Sequence, residues 1–408
     1  MVRPVVSGII RPIMPAPSNV TRNGDSGGRL GLVLSGGGAR GSFQVGVYER
    51  LLRDPRFADG PAVMSGTSAG SLNAAMIACG FTPTQMMDFW NDVADDPPVV
   101  ANTRFFSSLM TTAARIAVRE AIDLPRRLPT EIARFARRAR NYWPPRFGSL
   151  SALALDYALT SRFDIVSALL DGIEAPSLVD TSALRTRLVK LFGSERVPAR
   201  RRLAINTVDV HSGRVVRYVN SPVPAVPASE YVVVPAITVD MLMASCSIPL
   251  LFNPIAIGSR LLWDGGLLVN TPLAPAVALG AEQIVNVLVT KQHRGNAVMR
   301  RFGRAVEHTA DAFLENAYNV DRLLLLERNR LSRIEGSPYR EVRLYEALRP
   351  APDRSVFVAG SYLDFQRPIL AAMYRAGQRA ASDWLAKGPP VDHLDPRIRV
   401  EEQAKASG

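Results

Sequence analysis

The sequence predicts an α/β protein with a mainly parallel central sheet, and two stretches predict it. Arg29-Leu30-Gly31-Leu32-Val33-Leu34 is a near-continuous apolar run, the pattern of a strand covered on both faces. It breaks into Ser35-Gly36-Gly37-Gly38-Ala39-Arg40-Gly41, after which a helix is expected from about Ser42 to Arg53. The short run Ala62-Val63-Met64 repeats the arrangement: Gly66-Thr67-Ser68-Ala69-Gly70 follows it and leads into a second helix, Ser71 to Ala78. Strand, glycine-rich turn and helix, twice over, suit a sheet with helices packed on its faces.

A chain of 408 residues, 47% hydrophobic and 21% charged, can bury a full core and belongs with globular proteins rather than disordered or fibrous ones. Its two cysteines, Cys79 and Cys246, make no disulfide framework and point to a reducing, cytoplasmic setting; both sit among apolar or small residues and read as buried. The net charge of +12 favours an anionic partner, either a phospholipid surface or nucleic acid. Residues 1–28 read as a mobile arm, because Arg3, Pro4, Arg11 and Pro12 break the apolar pieces a secretory signal would need. No charge occurs between Asp59 and Asp88, yet Pro61, Pro83 and the small polar residues argue for a buried strand–turn–helix and against a membrane span.

Gly66-x-Ser68-x-Gly70 is the pattern of a nucleophile elbow, in which a sharp turn lifts a serine hydroxyl above the sheet edge at the positive end of a helix. By itself the pattern is weak, since small residues crowd many turns. Gly36-x-Gly38-x-x-Gly41 also fits a dinucleotide fingerprint. A dinucleotide fold would end its second strand in an acid for the ribose; here Met64-Ser65-Gly66 stands in that place. The better role for Gly36, Gly37 and Gly38 is an oxyanion hole of pre-aimed N–H groups.

Further along, Thr82-Pro83 opens a helix that Asp96-Pro97-Pro98 closes. Arg104 to Arg146 holds ten arginines and no lysine, offset only by Glu120, Asp123 and Glu131. Within it Ile132, Phe135, Ala136 and Ala139 share a helical face, and Trp143 follows; this basic amphipathic pattern suits an anionic lipid surface, and equally a solvated lid. A helix near Asp180–Leu191 precedes a hairpin of Arg202–Val210 and Arg214–Val219, turned at Ser212-Gly213. Pro222 to Pro235 reads as proline-rich connection, and Thr238–Cys246 as a buried helix stopped by Pro249. Leu250–Ile257 leads to a short strand, Arg260–Trp263, ending in Asp264-Gly265-Gly266. Thr271-Pro272 should cap and open another helix, and Gln283–Val289 is a buried strand. Helices are expected over about 301–331 and 365–387, with a loose tail from Gly388.

The glycine loop, the elbow and Asp264-Gly265-Gly266 stand in a fixed order, with Ala244-Ser245-x-x-x-Pro249-x-x-Phe252-x-Pro254 between the last two. In this the chain resembles the patatin-like phospholipase family over about residues 29–290. The resemblance implies a three-layer α/β/α fold and a Ser–Asp dyad that hydrolyses acyl esters of lipids without a metal or other cofactor. Carried over by position, Ser68 is the nucleophile, Asp264 its partner, and Gly36, Gly37 and Gly38 the oxyanion loop. Arg40 is then either the residue that holds this loop or one that binds a phosphate head group, and Gly41, Gly66, Gly70, Gly265 and Gly266 are motif glycines. Residues 29–387 would form the hydrolase, with a basic helical insertion over about 97–179 and a helical part over about 300–387.

The chemistry also stands on the residues. A serine hydroxyl needs a base within hydrogen-bond reach, and Asp264 can serve as one. A triad would run Ser, Asp, His, and His293 comes in that order, although its Lys/Arg/Gly-rich surroundings suggest exposure. The leading expectation is a phospholipase A or lysophospholipase at a membrane's periphery, with no nucleic-acid partner; a catalytically idle membrane-binding protein of the same fold is the alternative. An idle protein has no chemical need for the serine and the aspartate.

Overall fold

The computed structural model describes residues 28–97, 100–142, 151–153, 163–175, 177–224, 230–291, 302–351 and 356–394. β1 (Leu30–Leu34) runs through a 3-10 turn at Gly38–Arg40 into α1 (Gly41–Leu52). β2 (Val63–Gly66) runs into α2 (Ala69–Cys79), leaving only Thr67 and Ser68 between strand and helix. Both elements reach two residues further into the motif than the apolar pattern predicts. α3 (Pro83–Asp95) opens as expected on Thr82, whose hydroxyl accepts from Gln85 N while Gln85 Oε1 accepts from Thr82 N.

Over the expected insertion lie β3 (Val100–Ala101), α4 (Thr103–Ala139), α5 (Phe163–Asp171) and β4 (Ser177–Asp180), and α6 (Ser182–Phe192) follows it. α4 is far longer than the amphipathic stretch around Thr130–Arg140 and continues across Pro125 and Pro129. Trp143 and Arg146 lie outside the described residues.

β5 (Arg202–Asp209) and β6 (Val215–Val219) form the expected hairpin. β7 (Glu230–Val233) corrects the expectation of plain connection over Pro222–Pro235: Tyr231-Val232-Val233 is a run of strong strand formers, and it pairs with β6. α7 (Val239–Cys246) is capped by Thr238 and precedes β8 (Leu250–Phe252), β9 (Ile255–Ile257) and β10 (Arg260–Asp264). α8 (Leu273–Ala278) starts after Pro272, so Thr271 is not its cap. β11 (Gln283–Val287), α9 (Phe302–Ser332), β12 (Arg343–Leu344) and α10 (Arg367–Ala386) complete the order.

The main sheet runs β12-β11-β1-β2-β5-β10-β9, with β6 on β5 and β7 on β6. Pairing is parallel from β12 to β5 and antiparallel at β10 and β9. Alternate residues of one strand face opposite cores, as the period of two requires. Leu32, Leu34 and Met64 join α1, α2 and α10, whereas Val33, Val63 and Ala204 join α8 and α9. The result is the three-layer α/β/α arrangement with a mainly parallel sheet. A second sheet, β3-β4-β8, ties the insertion to the segment after α7. No helix among the described residues is long and apolar enough to cross a membrane.

Candidate active site

Strand register brings the motifs to one sheet edge. Leu34 pairs with Gly66, and Gly66 with Ile205, so β1, β2 and β5 end at similar heights. β10 runs the other way and pairs Asp264 with Thr207, which returns its last residue to that edge. There the Ser68 side chain comes close enough to the Asp264 carboxyl to influence its titration.

Ser68 adopts φ 53° and ψ −128°, a left-handed conformation that costs a non-glycine residue roughly 1–3 kcal/mol. Its surroundings hold it there. Ser68 N donates to Ser245 Oγ (3.0 Å), Ser245 Oγ donates to Asn206 O (2.8 Å), and Asn206 Nδ2 donates to Gly66 O (2.8 Å). Ser71 Oγ donates to Ser68 O (2.6 Å), and Thr67 Oγ1 to Val269 O (2.9 Å). Gly66 and Gly70 are required because the turn is so tight: a Cβ on Gly66 would strike the Gly70 backbone, and one on Gly70 the carbonyls of Leu34 and Ser35.

Asp264 is only 4% exposed, and burial pushes its carboxyl up to about 7. Gly266 N, which donates to Oδ1 (2.7 Å), and the Ser68 hydroxyl pull the other way without cancelling it. Asp264 N donates to Ser247 O (2.9 Å), which ties the strand end to α7. Among the described residues no histidine is a partner of Asp264, and His293 lies outside them. Burial, and Asp264 after it, also raise the Cys246 thiol, so this neighbour stays protonated and is no rival nucleophile; burial pushes Cys79 up to about 12.

The glycine loop divides its donors. Gly36 N, expected as an oxyanion donor, is engaged within the fold by Asn270 O (3.0 Å). The N–H groups of Gly37 and Gly38 take no acceptor among the described residues. Gly38 sits at φ +54° with the Tyr362 carbonyl packed where a side chain would begin. Of the other motif glycines, Gly41 lies against Trp90 and Gly265 against the Asn206 carbonyl.

Arg40 is fully buried, and its guanidinium is committed to the interior. Nε donates to Ser361 Oγ (3.0 Å), one terminal nitrogen to Val289 O (3.0 Å) and the other to Val358 O (2.9 Å). Asp311 Oδ1 lies 3.5 Å from it, and the Tyr362 ring stacks 3.6 Å from its centre. Tyr362 in turn donates its hydroxyl to Asp311 (2.7 Å). Of the two roles expected for Arg40, this geometry suits holding the loop; a head group has no access to it.

Sequence reasoning missed Asn206, Asn270, Asp311, Ser361 and Tyr362, which brace the site from distant positions. Ser245 stood in a quoted block without a role. A separate cleft, lined among others by Asn329, Arg333, Arg343 and His393, includes neither Ser68 nor Asp264, and the described residues of its walls include no serine, threonine or cysteine.

The model of the patatin-like phospholipase family matches residues 32–277, more than half of the chain. No curated protein matches. Among solved structures, VipD from Legionella pneumophila is similar over 90% of this chain and 68% of its own, at 14% identity and a TM-score of 0.38. Full-length ExoU of the Pseudomonas aeruginosa type III secretion system, in complex with SpcU, is similar over 72% of this chain and 52% of its own, at 16% identity and a TM-score of 0.27. The chain thus spans about half of that ExoU chain's length.

Proposed function

Because the chain belongs to the patatin-like phospholipase family of lipid acyl hydrolases, we propose that it cleaves carboxylic esters of phospholipids or lysophospholipids, with Ser68 as nucleophile and Asp264 as base. The observation that carries this is the buried Asp264 carboxyl, tuned to about 7, at the hydroxyl of a strained serine. A base near the working pH is ionised often enough to accept a proton and still acidic enough to return it.

Asp264 takes the proton as Ser68 Oγ bonds to the ester carbonyl carbon. The N–H groups of Gly37 and Gly38 take the negative oxygen; losing one such donor costs about 3–4 kcal/mol of barrier. Gly36 fixes the loop through Asn270, and Arg40 anchors it from below. Collapse expels the alcohol, which recovers the proton from Asp264 and leaves an acyl-Ser68 ester. Asp264 then deprotonates a water that attacks this ester, releasing the fatty acid and restoring the serine. Residues 29–387 act as the hydrolase, at the periphery of a lipid surface.

A fluorophosphonate probe should label Ser68 covalently, and Ser68→Ala should lose both labelling and turnover. Folded protein that resists the probe would instead be the idle membrane-binding form. Lipid-class profiling of wild type against Ser68→Ala then identifies the ester. His293→Ala should leave turnover within a few-fold; a loss of roughly a thousandfold would make the centre a triad.

A further inference from the structure

α4 takes no part in the ester chemistry, yet it is the longest helix among the described residues and has two unlike sides. Phe105, Ser108, Leu109, Thr112 and Ile116 are buried or half-buried against the body, and Thr112 Oγ1 donates to Gly172 O (2.8 Å). On the other side Phe106, Met110, Val118, Ile122, Leu128 and Ile132 stand 46–69% exposed. At 100° per residue these six span an arc of about 160°, centred opposite the body-facing residues. The stripe is about 39 Å long, and an extended exposed apolar patch rimmed by polar residues marks an interaction site.

Exposed arginines border it. Arg115, Arg119, Arg126 and Arg137 follow one flank of the stripe. The acids Glu120 and Asp123 lie on the body-facing side, 3.9 and 3.6 Å from Arg127. In a chain of net charge +12, this row calls for an anionic partner. A second copy of the chain would set arginine row against arginine row.

The helix is also rooted beside the reaction. It follows β3 directly, and β3 shares its sheet with β4 and β8. β8 begins three residues after Ser247, whose carbonyl holds Asp264 N. Leu250, at 74% exposure, and Leu267 and Leu268, just past Asp264, add exposed apolar side chains to that rim.

We propose that α4 is an interfacial helix that lies in the surface of an anionic bilayer, its apolar stripe toward the acyl chains and its arginine row on lipid phosphates. This deepens the lipid-hydrolase reading by naming the surface from which substrate enters, and it rests on that reading for its purpose only.

Binding is therefore measured without turnover. Full-length Ser68→Ala protein is floated with vesicles of phosphatidylcholine alone and of phosphatidylcholine mixed with phosphatidylglycerol. The anionic vesicles should bind at least about tenfold more tightly, and added salt should weaken the binding. Ile122→Asp with Ile132→Asp, and separately Arg115→Glu with Arg119→Glu and Arg126→Glu, should each weaken it about tenfold or more. With Ser68 intact, both variants should keep wild-type thermal unfolding and wild-type hydrolysis of a water-soluble short-chain ester. Equal binding to neutral vesicles, or variants that bind like wild type, would overturn the proposal. So would a dimer that the aspartate variants dissociate, since the stripe would then join two copies. Vesicle binding without soluble-ester hydrolysis would leave the docking face standing and remove the enzyme; the reverse would do the opposite.

Discussion

Burial and hydrogen bonding pull the Asp264 carboxyl in opposite directions, and burial wins, holding it near 7 against an unfolded value of about 4. The base form then accumulates as pH rises, so kcat/KM should climb about tenfold per unit below pH 7 and level off above it. Stability should run the other way. A carboxyl whose folded pKa is raised binds its proton more tightly in the native state; this contribution is complete below about pH 4 and is lost as pH rises through about 7. Asp264→Asn removes the cost of burying the anion. The variant should therefore be about 2–4 kcal/mol more stable than wild type at pH 8 and no more stable at pH 4, while hydrolysis falls at least about a thousandfold. Urea unfolding at both pH values checks this; equal stabilities at pH 8 would mean that the carboxyl ionises in the fold at little cost.

At the scale of elements, the glycine loop is held by chain it never meets in sequence. The acceptors of Arg40 lie 249, 318 and 321 residues away, and Asp311 comes from the N-terminal third of α9. Arg40→Lys keeps the charge but cannot reproduce three directed bonds, so it should cost about 1–3 kcal/mol in thermal unfolding and slow turnover. Turnover should fall in the same proportion on a phospholipid and on a neutral lipid ester. A selective loss on the phospholipid would return Arg40 to head-group binding. Tyr362→Phe should likewise cost about 1–3 kcal/mol through the hydrogen bond lost at buried Asp311. These braces explain what the sequence could convey. The elbow, the glycine loop and Asp264 were legible because their geometry is made of local spacing: glycine where backbone crowds backbone, serine at a helix start, an acid at a strand end. Asn206, Asn270, Asp311 and Tyr362 act by tertiary contact, which leaves no periodicity to read. β7 was hidden by flanking prolines, and the small β3-β4-β8 sheet by strands too short to show alternation.

For the molecule as a whole, the family match ends at residue 277, but the packing that supports the site does not. Leu370, Met373 and Trp384 of α10 share one core with Leu32, Phe43 and Met64, which lie beneath the glycine loop and the elbow. α9 contributes Tyr318, Leu325 and Leu326 to the core on the other face of the sheet, together with Val33 and Val63. The C-terminal helices thus form the outer side of both cores, α10 packed along α1 and α9 against α8. Stripping those helices would bare the faces of α1 and α8 that they cover and open Arg40 and Gly38 to water. A chain ended after Lys291 should therefore lack cooperative unfolding and resist fluorophosphonate labelling at Ser68. In the full chain, urea should abolish labelling, far-UV circular dichroism and tryptophan fluorescence in one coincident transition, because the hydroxyl is poised only while both cores are intact. A truncated chain that folds and still takes the probe would show that residues 32–277 hold the elbow unaided and that the C-terminal helices only cover it.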